Sequence, residues 1–220
     1  MASEEVMHAQ NTGTHEMPRN LSAWEGGTAP YAIVSKKLGM WLFIISDAIT
    51  FASLLVAYSY VRMASPQWPT PFRLWPSIAN ATLMTIVLLS SSLTMVMAVR
   101  SAKTGKRAGV VRWLLATAVG GVAFIVLHAR EWIGLIDEGV RLFRNPWGTP
   151  LFGGAFFTLT GLHMTHVGIG VIYLSIIAVG QARRKFKPED VEISGLYWHF
   201  VDLVWMFIFP LVYLMSARSS

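Results

Sequence analysis

The chain has no cysteine, so it can form neither a disulfide framework nor a metal site built from thiolates. Any metal ion would have to be held by His, Asp or Glu. Charged residues are also scarce, at 14% of the 220 residues against roughly 25% in soluble domains. With 54% hydrophobic residues, the composition excludes an ordinary soluble domain and indicates a membrane protein.

The positive charge of the chain does not indicate a nucleic-acid partner. The net charge is +6, from 18 Lys and Arg residues against 12 Asp and Glu residues. In a protein with several membrane spans, Lys and Arg collect in the cytoplasmic loops, so their position matters more than their sum. We therefore expect no nucleic acid among the partners.

The first 37 residues are polar and form a predicted N-terminal tail. They contain no apolar run of the kind found in a signal peptide, so we expect no cleavable signal peptide. His8 and His15 could bind a metal ion, but seven-residue spacing in a polar tail favours solvated side chains. We predict two regions, a cytoplasmic tail at residues 1–37 and a transmembrane domain at residues 38–220.

Five apolar stretches are each about as long as the roughly 20 residues that a helix needs to cross a bilayer. They are predicted at residues 39–60, 78–99, 113–136, 151–179 and 195–215. The sequence therefore predicts an all-α fold, a polytopic membrane protein built as a bundle of five transmembrane helices.

The distribution of Lys and Arg predicts the orientation of these helices. Most of the 18 Lys and Arg residues precede the first span, or lie in the loops after the second and fourth spans. Cytoplasmic loops carry the excess of Lys and Arg. We therefore place the N-terminus in the cytoplasm and the C-terminus on the outside.

Ionisable side chains occur within four of the predicted spans. Asp47 lies in the first span, where Ser46, Thr50 and Ser53 are expected to supply its polar surroundings. The others form pairs three residues apart, each on one face of its helix, namely His128 with Glu131, His163 with His166, and His199 with Asp202. A charged group inside a span costs roughly 3 kcal/mol on insertion scales, so we expect these residues to face partners inside the bundle.

Three interpretations of these residues remain open. Imidazoles and carboxylates could hold zinc, iron or copper within the membrane. Asp47 or Glu131 could belong to a proton path. Alternatively, the polar groups could form a structural network that fixes helix register and binds only its neighbours and lipid headgroups. No span shows two ligands and a general base in a known zinc-helix pattern, which favours the structural network.

Motifs on separate spans follow one another in a recognisable order. They are Leu-Gly-Met-Trp-Leu-Phe-Ile-Ile-Ser-Asp at residues 38–47, Thr-Gly-Leu-His-Met-Thr-His-Val-Gly at residues 160–168, and Tyr-Trp-His-Phe-Val-Asp at residues 197–202, which is followed by Trp205 and Tyr213. Glu131 and Trp132 add an acid–aromatic pair in the third span. From residue 38 onward the chain thus resembles subunit III of the haem-copper terminal oxidases, in its five-helix bacterial form.

The resemblance implies a subunit without haem, copper or a catalytic centre of its own, within an oxidoreductase and translocase complex. In that family, subunits I and II handle electrons and oxygen and carry the haem and copper. Subunit III packs against subunit I, holds phospholipid and helps to sustain proton uptake. Cytochrome c or quinol would contact only the partner subunits. The resemblance also implies a multi-pass protein of the bacterial inner membrane.

The resemblance further implies roles for particular residues. The internal polar network, related to proton uptake, comprises Asp47, His128, Glu131, His163, His166, His199 and Asp202. The candidates for lipid binding are Arg130, Trp132 and Trp198.

The family favours a cytochrome c oxidase, but the identity of the electron donor stays open. Asp47 stands where many cytochrome c oxidase relatives have Glu, and Asp at this place is more typical of quinol oxidases. The alternatives are a quinol oxidase subunit, an accessory subunit of a nitric-oxide reductase, and an independent intramembrane metal-binding protein.

Overall fold

A computed structural model describes residues 35–218 of the chain. Residues 1–34, which make up nearly all of the predicted tail and include His8 and His15, lie outside the described residues. From Gly39 onward, the described residues pack together as one unit.

The described chain is built from five long helices. They are α1 (Ser35–Ala64), α2 (Ala79–Lys103), α3 (Arg107–Asp137), α4 (Pro150–Ala182) and α5 (Pro188–Ile208). A π-helical turn (Leu74–Ile78) leads into α2, and a π-helical turn (Phe209–Tyr213) and a 3₁₀ turn (Leu214–Ser216) continue α5. All five helices are long and apolar enough to cross a membrane, which confirms the predicted fold class.

The helices extend beyond the apolar stretches that predict them, and α5 differs most. It begins at Pro188, well before the predicted start at residue 195. Proline is favoured in the first turn of a helix because its missing N–H would have no partner there. The carboxylate of Asp190 accepts a hydrogen bond from the backbone N–H of Lys187 at 2.8 Å. This local cap explains why a polar segment starts the helix.

Four of the helices form the core, in which α2 packs along both α3 and α5, and α4 along both α3 and α5. Small residues permit close approach of these helices. A Cβ on Gly120 of α3 would come within 2.7 Å of Ser91 of α2. A Cβ on Gly121 would meet Trp198 of α5 and Val171 of α4. The neighbouring glycines therefore let α3 contact three helices.

Helix α1 lies at the edge of this core and is attached by large side chains. Only Phe51 and Tyr58 of its residues are buried. The ring of Phe51 contacts His163 and His166 of α4, at 6.4 and 5.3 Å between centroids. Because these contacts are made by long side chains, α1 stays apart from the close backbone packing of the other helices.

One end of the bundle is closed by aromatic rings and by the C-terminal segment. Phe72 and Tyr213 are both buried, with ring centroids 4.8 Å apart. The backbone N–H of Arg218 donates to the carbonyl oxygen of Phe72 at 2.9 Å. Tyr58 and Ser216 share a hydrogen bond of 3.1 Å. The connection between α1 and α2 is thereby joined to the end of the chain.

Candidate functional site

Asp47 of α1 faces His166 of α4. His166 Nε2 lies 3.2 Å from Asp47 Oδ2, and the two side chains are 12% and 13% exposed. His166 Nδ1 donates to the carbonyl oxygen of Leu162 at 2.8 Å, so Nε2 is the nitrogen left for Asp47. The contact has ion-pair distance, but its angles fall outside hydrogen-bond geometry. The contact therefore joins α1 to α4 through two largely buried polar side chains.

The hydroxyl groups expected around Asp47 do not bind it, and that expectation is wrong. Ser46 donates to the carbonyl oxygen of Phe43, and Ser53 to that of Ile49, each at 2.8 Å. Thr50 likewise donates to a carbonyl oxygen of its own helix. In an apolar environment, a hydroxyl on a helix binds the carbonyl one turn earlier.

His128 and His163 occupy an aromatic interior. Both are 0% exposed, and none of their ring nitrogens has a hydrogen-bond partner within residues 35–218. Phe124 lies against both imidazoles, with centroids 5.5 and 5.6 Å away. Trp205 lies against them too, at 5.5 and 5.3 Å. These histidines therefore contribute shape and aromatic contacts, rather than hydrogen bonds, to the packing of α3, α4 and α5.

Glu131 does not bind His128, which is its neighbour on the same helix face. Its Oε2 accepts a hydrogen bond from Asn80 Nδ2 of α2 at 3.3 Å. Glu131 and Asn80 line a groove of about 470 Å³ between α2 and α3, together with exposed Arg130. Trp132, also a lipid candidate, is partly buried and donates through Nε1 to Thr160 at 3.3 Å.

His199 and Asp202 lie on the same face of α5, and His199 contacts Ser92 of α2. Ser92 Oγ and His199 Nδ1 are joined by a hydrogen bond of 2.6 Å. Asp202 is 7% exposed, and its Oδ1 has no hydrogen-bond partner among the described residues. Ser92 of α2 thus contacts α5 through His199 and lies close to Asp202 as well.

Trp198 has no surface for lipid, so its proposed lipid contact is contradicted. The side chain is 0% exposed, and its Nε1 donates to Ser91 Oγ at 3.1 Å. The indole fills the space that Gly121 and Gly170 leave open on α3 and α4. An indole with a bonded N–H gains more from this close packing than from the membrane interface.

Several residues outside the predicted network make its contacts. Asn80 and Ser92 are the partners of Glu131 and His199. Tyr197 donates its hydroxyl to the carbonyl oxygen of His166 at 2.9 Å. The one sequence signal for Asn80 is an amide side chain in an apolar run, which costs free energy unless it is bonded.

Across residues 35–218, no group of three or more His, Asp or Glu side chains is arranged to hold a metal ion. The predicted residues form separate contacts: one between α1 and α4, one between α2 and α3, one between α2 and α5, and the aromatic interior. Such an arrangement fixes the helices against one another.

The comparisons with known proteins agree on one family. The family model described as cytochrome c oxidase subunit III matches residues 21–217. Quinol oxidase subunit 3 of Bacillus subtilis is 34% identical over 182 residues, covering 81% of this chain and 86% of the relative. Cytochrome c oxidase subunit 3 of Bacillus sp. strain PS3 is 33% identical over 187 residues, covering 83% and 86%. Cytochrome bo(3) ubiquinol oxidase subunit 3 of Pseudomonas putida is 33% identical over 183 residues, covering 82% and 86%. The chain therefore belongs to the cytochrome c oxidase subunit III family.

Proposed function

We propose that this chain is a non-catalytic subunit of a proton-pumping haem-copper oxidase, in which partner subunits I and II carry the haem and copper. The observation that carries the proposal is that the ionisable residues contact other helices of the chain. Asp47, Glu131 and His199 each contact a side chain of another helix of this same chain. Groups occupied in this way support helix packing and proton exchange.

Purification through this chain from its native membrane tests the proposal. We expect a subunit I with haem and copper, and a subunit II, to be recovered in equal amounts with it. Recovery of the intact chain without either partner, from membranes that contain an active oxidase, would contradict the proposal.

We also propose that the groove between α2 and α3 holds a phospholipid. Arg130 is exposed at the groove and can bind a phosphate, while Leu83 and Leu127 provide an apolar wall for an acyl chain. Arg130→Gln should lower the phospholipid recovered per complex, and Arg141→Gln, which changes an exposed arginine outside the groove, should not. Equal lipid content in both variants would remove Arg130 from the site.

We favour cytochrome c as the electron donor, with quinol as the second candidate. The matching family model, which is described for cytochrome c oxidase, supports cytochrome c, Asp47 supports quinol, and relatives named for either donor are similarly identical to the chain. The donor is decided outside this chain, by whether subunit II has copper ligands. Steady-state assays of the purified complex with reduced cytochrome c and with quinol distinguish the two.

We further propose that the protein lies in the bacterial inner membrane, with its N-terminus in the cytoplasm. The excess of Lys and Arg before the first predicted span, and in the predicted loops after the second and fourth spans, supports this orientation. A reporter enzyme that works only outside the cytoplasm should be active when it is fused to the C-terminus. Activity of a cytoplasm-specific reporter there would reverse the orientation.

A further inference from the structure

A cavity of about 670 Å³ lies at the turn between α2 and α3. Three cationic residues line it, namely Arg100 from the end of α2, Lys106 from the turn and Arg112 from α3. None of the three forms an ion pair with another residue of the range 35–218. The residues that line the cavity include no Asp or Glu. The positive charge around this cavity is therefore not neutralised by the described part of the chain.

The shape of the cavity results from close contact of the two helices. A Cβ on Gly109 would come within 3.1 Å of Ser101 Oγ, so glycine permits the approach of α3 to α2 at this point. Arg112 is placed over the ring of Trp113, with Cζ 5.4 Å from the ring centroid. A cation held on an aromatic face in this way is partly fixed in position.

The first turn of α3 borders the cavity. Helix α3 begins at Arg107, and the preceding Lys106 makes no side-chain hydrogen bond to cap it. Ala108 and Gly109, in the first turn, line the cavity. N–H groups of a first helical turn have no acceptor within the helix. The hydroxyl hydrogens of Ser101 and Thr104, in contrast, are donated to carbonyl oxygens of α2.

We propose that this cavity is a binding site for a phosphate-bearing anion, such as the headgroup of an anionic phospholipid or free phosphate. Arginine binds phosphate through paired donors, and the free amides of the first turn favour the same ligand. The site is separate from the groove at Arg130. From Arg112 to Arg130 along α3 the distance is roughly 27 Å at the rise of an α-helix, close to the thickness of the hydrocarbon core. The two sites therefore face opposite surfaces of the membrane.

The turn offers a control with the same charge. Lys103 and Arg107 are exposed in the same segment but do not line the cavity. The double variant Arg100→Gln/Arg112→Gln and the double variant Lys103→Gln/Arg107→Gln lose equal charge. A general attraction between the basic turn and an anionic membrane is reduced equally in both, whereas a site is lost only in the first.

The experiment measures the phosphatidylglycerol molecules that the full chain retains from mixed vesicles of phosphatidylcholine and phosphatidylglycerol, by native mass spectrometry. We expect the first double variant to retain one molecule fewer than the wild type, and the second to match the wild type. Equal retention by all three proteins, or equal loss in both variants, would overturn the proposal. Thermal unfolding confirms that each variant is folded. The single variant Arg112→Lys, which keeps both positive charges because Arg100 is unchanged, should retain as many phosphatidylglycerol molecules as the wild type.

Excess inorganic phosphate distinguishes the two sources of the ligand. Retention that persists in its presence identifies the lipid headgroup as the occupant. Displacement of one phosphatidylglycerol by inorganic phosphate, in the wild type but not in the Arg100→Gln/Arg112→Gln variant, identifies a site that takes free phosphate.

Discussion

The imidazole of His163 lies nearly parallel to the indole of Trp205, with ring centroids 5.3 Å apart and an angle of 25° between the planes. Both side chains are 0% exposed. No hydrogen bond to either ring nitrogen of His163 occurs within the described residues. The histidine is thus held by ring packing between α4 and α5, although its position in the sequence suggested a polar role.

His163→Phe should leave the protein as stable as the wild type, or more stable. Phenylalanine keeps the stack on Trp205 and removes two buried nitrogen atoms that lack partners. Thermal unfolding of the purified full chain measures the change, and His166→Phe is the matched comparison because it loses the contact with Asp47. If His163 is instead a metal ligand, its replacement should release a metal ion from the protein.

Asp47→Asn should fold, because asparagine still presents an oxygen to His166, but it can no longer exchange a proton. In the assembled oxidase we expect slower proton uptake, or faster loss of activity during turnover. Ser46→Ala is the control, since its hydroxyl binds only its own helix. Initial and long-term turnover that match the wild type would restrict Asp47 to a packing role.

Gly121→Ala should destabilise the bundle by about 1–3 kcal/mol through overpacking. The added Cβ would lie 2.5 Å from Trp198 and 2.6 Å from Val171, and both neighbours are held in the core. Gly134→Ala on the same helix meets no atom within 4 Å and should be neutral. Equal unfolding temperatures for the two variants would contradict the close packing of α3 against α4 and α5.

Thr85→Val should lower stability by about 1 kcal/mol, the typical value of a side-chain hydrogen bond within a membrane. Thr85 Oγ1 accepts the indole N–H of Trp205 at 3.0 Å, in a buried contact between α2 and α5. Valine has the same shape and leaves that N–H without a partner. Thr82→Val, at an exposed position of α2, should have little effect. A loss of stability at both positions would show that helix propensity, and not the bond to Trp205, is responsible.

The five helices could be predicted from the sequence because hydropathy and length depend only on neighbouring residues. The spacing of His163 and His166 likewise places both on one face of α4. It does not distinguish their surroundings, since His163 meets Trp205 and His166 meets Asp47. That difference depends on which helices are adjacent and how each is rotated, and a single helix pattern contains neither.

Trp198 shows that the exposure of a side chain to lipid also cannot be predicted from the pattern of a single helix. A tryptophan near other aromatic residues in a span is often found at the membrane interface. Its burial here depends on Gly121 of α3 and Gly170 of α4, which together leave space for an indole. Because these glycines lie on other helices, no periodicity within α5 could reveal that space.

The most direct test of the account is the haem and metal content of the full chain after its release from the purified oxidase. We expect no haem absorption band and no iron, copper or zinc in stoichiometric amount, because within residues 35–218 no group of three or more His, Asp or Glu side chains is arranged to hold a metal ion. A haem or a stoichiometric metal ion bound to the released chain would contradict the account.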